Sequence, residues 1–126
     1  MNITKNTILC CLLVLILLAL CGCGKNADEN KPIGEVKADA EKMSIEKLRS
    51  MAMTYKEAIT AKKEDVEKLT SKLKDIPLTK MMSDETKELK ADIDGLNKSV
   101  SALKERFEVY YNKLKEKGGN LSGLNI

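Results

Sequence analysis

Apolar residues are distributed along this chain in two unlike ways. From Ile8 to Leu20 they run without a break, whereas from Ile45 onward they recur every three or four residues among lysines and glutamates. The first periodic series is Ile45, Leu48, Ala52, Tyr55, Ile59, Lys62, Val66, Leu69, Leu73 and Ile76, with Lys62 its one polar member. The second is Met82, Thr86, Leu89, Ile93, Leu96, Val100, Leu103, Phe107, Tyr110 and Leu114. Alternating steps of three and four keep one stripe of a helix turned toward a partner, the a and d positions of a heptad repeat.

The ends of both helices are marked chemically. Ser44 and Ser83 are N-cap residues, because a short side-chain oxygen accepts from the otherwise unsatisfied amides of a first turn. Pro77 stops the first helix, since it lacks an amide proton and restricts its predecessor. Gly118-Gly119 supplies a left-handed C-terminal cap, preceded by Lys113, Lys115 and Lys117 at the negative end of the helix dipole. The spacing therefore predicts helices over 44–76 and 83–117. Joined by a short link around Pro77, they are expected to fold back on each other as an all-α protein, a long antiparallel helical hairpin over 44–118 that can also self-associate. Its expected layers set Ala52 against Tyr110, Tyr55 against Phe107 and Leu73 against Leu89. Gly95 falls outside the seam and costs about 1 kcal/mol relative to alanine.

Residues 24–34 are polar, with one proline and two glycines, and carry no apolar period. They read as a flexible tether that, with the weakly patterned stretch to Met43, spans 23–43. The stretch from Glu35 to Met43 has alanines and lysines that favour a helix, so 23–43 is expected to be partly helical, with only Val36, Ala40 and Met43 forming a stripe. The tail 119–126 is rich in glycine and asparagine and reads as a frayed end.

The continuous apolar run has the length of the central region of a secretory signal, follows the single charge Lys5, and ends at Leu20-Cys21-Gly22-Cys23. These residues resemble the lipobox of bacterial lipoprotein signal peptides. The resemblance implies that residues 1–22 are removed and that Cys23, preceded by the small Gly22 and by Leu20 three positions upstream, receives a diacylglyceryl group. Cys21 is the alternative acceptor, but it places bulky Leu20 directly before the cut. A retained transmembrane helix is the competing reading, and the run is short of the roughly 20 apolar residues that spanning requires. The class also implies a location in the bacterial cell envelope, outside the cytoplasm. Gly24, in place of the aspartate that favours inner-membrane retention, points to the outer membrane where one exists. The resemblance covers about the first fifth of the chain.

Composition agrees with that division. All 4 cysteines lie within the first 23 residues, so processing leaves one, consumed by lipid, and no disulfide framework. Histidine and tryptophan are absent, which removes the commonest general base and metal ligand. Removing Lys5 from the 22 basic residues leaves 21 against 19 acidic, with signs interspersed. Such a surface is solvated and carries no electrostatic footprint for nucleic acid. Carboxylates such as Glu64, Asp65, Asp92 and Asp94 fall on polar helix faces, with no nucleophile and base paired near them. No catalytic residue, metal site, cofactor or small-molecule substrate is expected.

Two functional readings follow. The first is a lipid-anchored envelope protein with a structural or protein-interaction role, engaging an envelope partner or itself through the hairpin. The alternative is a ligand-binding or enzyme-inhibitory helical module. Met43, Met51, Met53, Met81 and Met82 either fill gaps or form an adaptable contact surface.

Overall fold

The computed structural model describes residues 26–126, in which every regular element is helical. Helix α1 spans Ile33–Lys42, α2 spans Ile45–Lys74 and α3 spans Asp84–Glu116, with a 3₁₀ turn at Leu78–Lys80 between the last two. The caps fall where the sequence places them. Ser44 Oγ accepts from the Lys47 amide and Ser83 Oγ from the Thr86 amide, each at 3.3 Å. Helix α2 stops at Lys74 rather than Ile76, because Pro77 disfavours the helical conformation for the residue before it. At the end of α3, Gly118 has φ of 75° and donates to Lys115 O at 3.1 Å, while Gly119 donates to Leu114 O at 2.9 Å. This is a Schellman closure, and a Cβ at Gly119 would stand 2.1 Å from the Leu114 side chain.

Helices α2 and α3 pack on each other, and α1 lies on α3. Ile45 at the start of α2 sits against Gly119 beyond the end of α3. Lys72 and Asp75, at the other end of α2, share a surface with Ser83 and Thr86. The two helices do not bury their seams evenly. Leu48, Ala52, Tyr55 and Ile59 of α2 and Val100, Leu103, Phe107, Tyr110 and Leu114 of α3 are buried, all in the half away from the 75–83 link. Across the other half, from Thr60 to Ser99, the seam residues Val66, Leu69, Leu73, Leu89, Ile93 and Leu96 are only half-buried, while Thr86 is buried beside the link with its hydroxyl donating to Lys80 O at 2.9 Å. Two helices can shelter only the stripe between them, so deeper burial needs a further layer.

That layer comes from the partly helical tether and from the tail expected to fray. Val36 and Ala40 are fully buried, and Leu124 is 1% exposed. The stripe Val36, Ala40 and Met43 thus makes α1 part of the core rather than of a tether, with Met43 half-buried against it. The tail expected to fray is held by α2. Arg49 donates to the carbonyls of Asn120 and Ser122, and Lys56 to that of Gly123 at 2.6 Å. Leu124 then shares a surface with Phe107 and Tyr111, and Leu121 packs against the core.

The ring pairing differs from expectation. Tyr55, expected against Phe107, has its ring on that of Tyr110, with centroids 5.5 Å apart. Phe107 instead stacks on Tyr111 at 5.6 Å. Tilted and offset ring pairs are worth about 0.5–1.5 kcal/mol beyond the area they bury, which outweighs a simple alternation of large and small.

Candidate functional site

Cys23 and its alternative Cys21 lie outside the described residues. What the structure describes is how the chain joins the helices immediately after them. The Asp28 amide donates to the Tyr55 hydroxyl at 3.1 Å, and that hydroxyl donates back to the Asp28 carbonyl at 3.1 Å. Ser99 Oγ donates to Glu29 Oε1 at 2.9 Å, and Lys62 Nζ lies 3.7 Å from Glu29 Oε2. The one polar member of the first heptad series therefore faces the incoming chain.

Arg106 completes this latch. It is 8% exposed, and its Nε and Nη2 donate to the Lys31 carbonyl at 2.9 and 2.7 Å, while Nη1 donates to Ala102 O at 2.7 Å. A guanidinium fork can hold one carbonyl through two donors and still satisfy a helix carbonyl, which an ammonium cannot do. Lys31 in turn bonds Asp39 of α1. That bond raises the Lys31 pKa and lowers that of Asp39.

A second polar cluster ties α1 to the end of α3. Lys113 Nζ lies 2.5 Å from Glu41 and 2.6 Å from Glu116, which raises its own pKa and lowers that of Glu41. Lys117 Nζ donates to the carbonyls of Glu41 and Met43 at 3.1 and 2.8 Å, satisfying the last turn of α1. Between the two clusters Tyr110 is buried, and burial pushes its phenol pKa up.

The concave features are broad. The depression between α1 and α3, of about 400 Å³, is lined by Ile33 and Val109 among Lys37, Glu105, Glu108 and Lys113. Charges of both signs alternate along it, an arrangement that solvates a surface and gives a ligand no consistent chemistry. Among the described residues no helix is long and apolar enough to cross a membrane.

At the 75–83 link the pattern reverses. Leu78 is 89% exposed and Met82 is 82% exposed, with Lys80 between them in the chain. Sequence reasoning missed the roles of Arg106 and Tyr55. Arg106 flanks the seam, and nothing in the heptad pattern marks it. Tyr55 looks like an ordinary seam residue, and only the polar tip of its ring hinted at a partner.

No family model matches the chain, and no match to it was found among curated proteins or among solved structures.

Proposed function

We propose that the chain is a bacterial lipoprotein, anchored through lipid on Cys23 in the cell envelope, and in the outer membrane where one exists. Its α2 and α3 act as an antiparallel two-helix coiled coil with a structural or protein-interaction role and no catalytic one. The observation that carries this reading is the half-buried seam between Thr60 and Ser99. Val66, Leu69, Leu73, Leu89, Ile93 and Leu96 keep part of their apolar surface open to solvent along a bare helix pair. An additional helix laid beside it, from an envelope protein or from a second copy, would cover that surface as α1 and the tail cover the other half.

On the Cys23 reading the anchor lies close in sequence to the strap. Four residues separate Cys23 from Asp28, which is already fastened to Tyr55, so lipid at Cys23 would hold the helical domain close to the bilayer.

In vivo photo-crosslinking from positions 73 and 93, with Cys23→Ala as the control, tests both parts. The expected result is one discrete adduct that weakens in the control. Recovery of neither a partner nor a homo-oligomer would remove the interaction role, and an intact mass still beginning at Met1 would remove the lipid anchor.

A further inference from the structure

We propose that the 75–83 bend is a second, reversible contact with the bilayer, in which Leu78 and Met82 enter the lipid interface while neighbouring lysines meet the headgroups. The part concerning reach rests on the reading of Cys23 as the lipid site; the chemistry of the bend does not.

The bend presents two large apolar side chains almost wholly to solvent, Leu78 at 89% and Met82 at 82% exposure. Leu78 opens a single 3₁₀ turn, Leu78–Lys80, whose N-cap is Pro77, a residue with no amide proton to leave unpaired, and Met82 lies two residues beyond that turn. Lys80 lies between them in the chain and Lys72 and Lys74 close α2 just before them; Lys72 and Lys80 share a depression with Asp75 and Glu85, but no described carboxylate is within ion-pair distance of these three lysines. The acidic residues nearby are Asp75, Asp84 and Glu85. Asp84 is engaged with Lys87 at 3.5 Å, and both Asp84 and Glu85 sit in the first turn of α3, where the helix dipole offsets negative charge. Exposed apolar tips with unpaired lysines close by in the chain suit a boundary where hydrocarbon meets phosphate.

The latch limits how the helix pair can stand. Asp28 is pinned at Tyr55, about 15 Å along α2 from Ile45 and about 29 Å from Lys74 at 1.5 Å per residue. The five steps from Cys23 to Asp28 span at most about 18 Å. Attachment is therefore at the waist. A domain upright on its bend would need more chain than this, and one upright on its other end would stretch the link nearly fully. Leaning over brings the bend to the surface with slack to spare, and the short link keeps it at high effective concentration there.

The test uses the full chain, purified from membranes and reconstituted in vesicles of phosphatidylcholine with phosphatidylglycerol, with an environment-sensitive fluorescent amino acid replacing Thr79. The expected result is blue-shifted emission quenched by nitroxides placed just below the headgroups. Leu78→Asn and Met82→Asn should each reduce the inserted-to-free ratio about tenfold, with helicity unchanged. Water-like emission in the vesicles would overturn the proposal. So would a blue shift that appears only on adding a protein extract, since the bend would then belong to a protein partner. Intact mass on the same sample reports the lipid at Cys23 separately. An unlipidated chain whose bend still inserts sinks the anchor and keeps the contact, whereas a lipidated chain with a water-exposed bend does the reverse.

Discussion

The Tyr55 hydroxyl both accepts from the Asp28 amide and donates to the Asp28 carbonyl, at 3.1 Å in each direction, across 27 residues of sequence. One side chain thus closes the backbone of the incoming strap onto the middle of α2, while its ring packs on Tyr110. Tyr55→Phe keeps the ring and removes the clasp. The expected cost is about 1 kcal/mol, with faster amide exchange confined to residues 26–31. Unchanged protection there would mean that Glu29 and Arg106 hold the strap without it.

Arg106 acts on the same strap from α3. Because its fork serves two carbonyls from a nearly buried position, Arg106→Lys should lose most of the interaction despite keeping the charge, at about 2 kcal/mol in a denaturant titration. Combined with Tyr55→Phe the losses should fall short of additive, since either substitution frees the same segment. Full additivity would show that the two contacts are independent.

Two leucines of opposite burial should respond very differently. Leu124 is 1% exposed, so Leu124→Ala should cost about 2 kcal/mol or more, although it lies two residues from the end of the sequence. Leu78→Ala should change stability by no more than about 0.5 kcal/mol. Equal effects in thermal melts would contradict the packing of the tail.

A Cβ at Gly95 would meet nothing within 4 Å. Gly95→Ala in α3 should therefore stabilise the protein by about 1 kcal/mol, through helix propensity alone. A loss of stability would mean that this helix face is covered.

The pH dependence follows from the two polar clusters. Asp39 and Glu41 are held below their ordinary values of 3.8 and 4.5 by Lys31 and Lys113, so their contribution is complete above about pH 4.5 and disappears as pH falls through their lowered values. Lys31 and Lys113, raised from 10.5 by Asp39 and by Glu116 with Glu41, contribute fully below that value and lose it as pH rises. Tyr110, raised from 10.0 by burial, acts in the same direction. Melting temperature should form a plateau with acid and alkaline shoulders. Because the carboxylates are exposed, the acid shoulder should shrink in high salt. An acid shoulder insensitive to salt would assign it to other groups.

The long helices were legible in the sequence because their information is local. Ser44, Ser83 and Gly118 cap within a few residues, and an apolar period of three and four needs no knowledge of what it faces. A helix before Met43 was legible too, but the docking of the strap and of the tail was not. Val36 and Ala40, or Leu121 and Leu124, are too few to fix an element by themselves, and each becomes core only because a surface made far away in the chain is there to receive it. Ion pairs and carbonyl clasps such as those of Lys62, Arg49 and Lys56 depend on that docking as well, and their residue types alone read as solvated charge.

By itself, then, the sequence determined that this protein is all helical, where its two long helices begin and end, and which stripe each keeps apolar. Only the tertiary structure decided that the stripe is sealed in one half and half-open in the other. It also decided that the chain joins the helices at their waist and that Leu78 and Met82 are left in solvent. The reason is physical: propensity and capping act over a few residues, whereas burial depends on which distant segments arrive to exclude water.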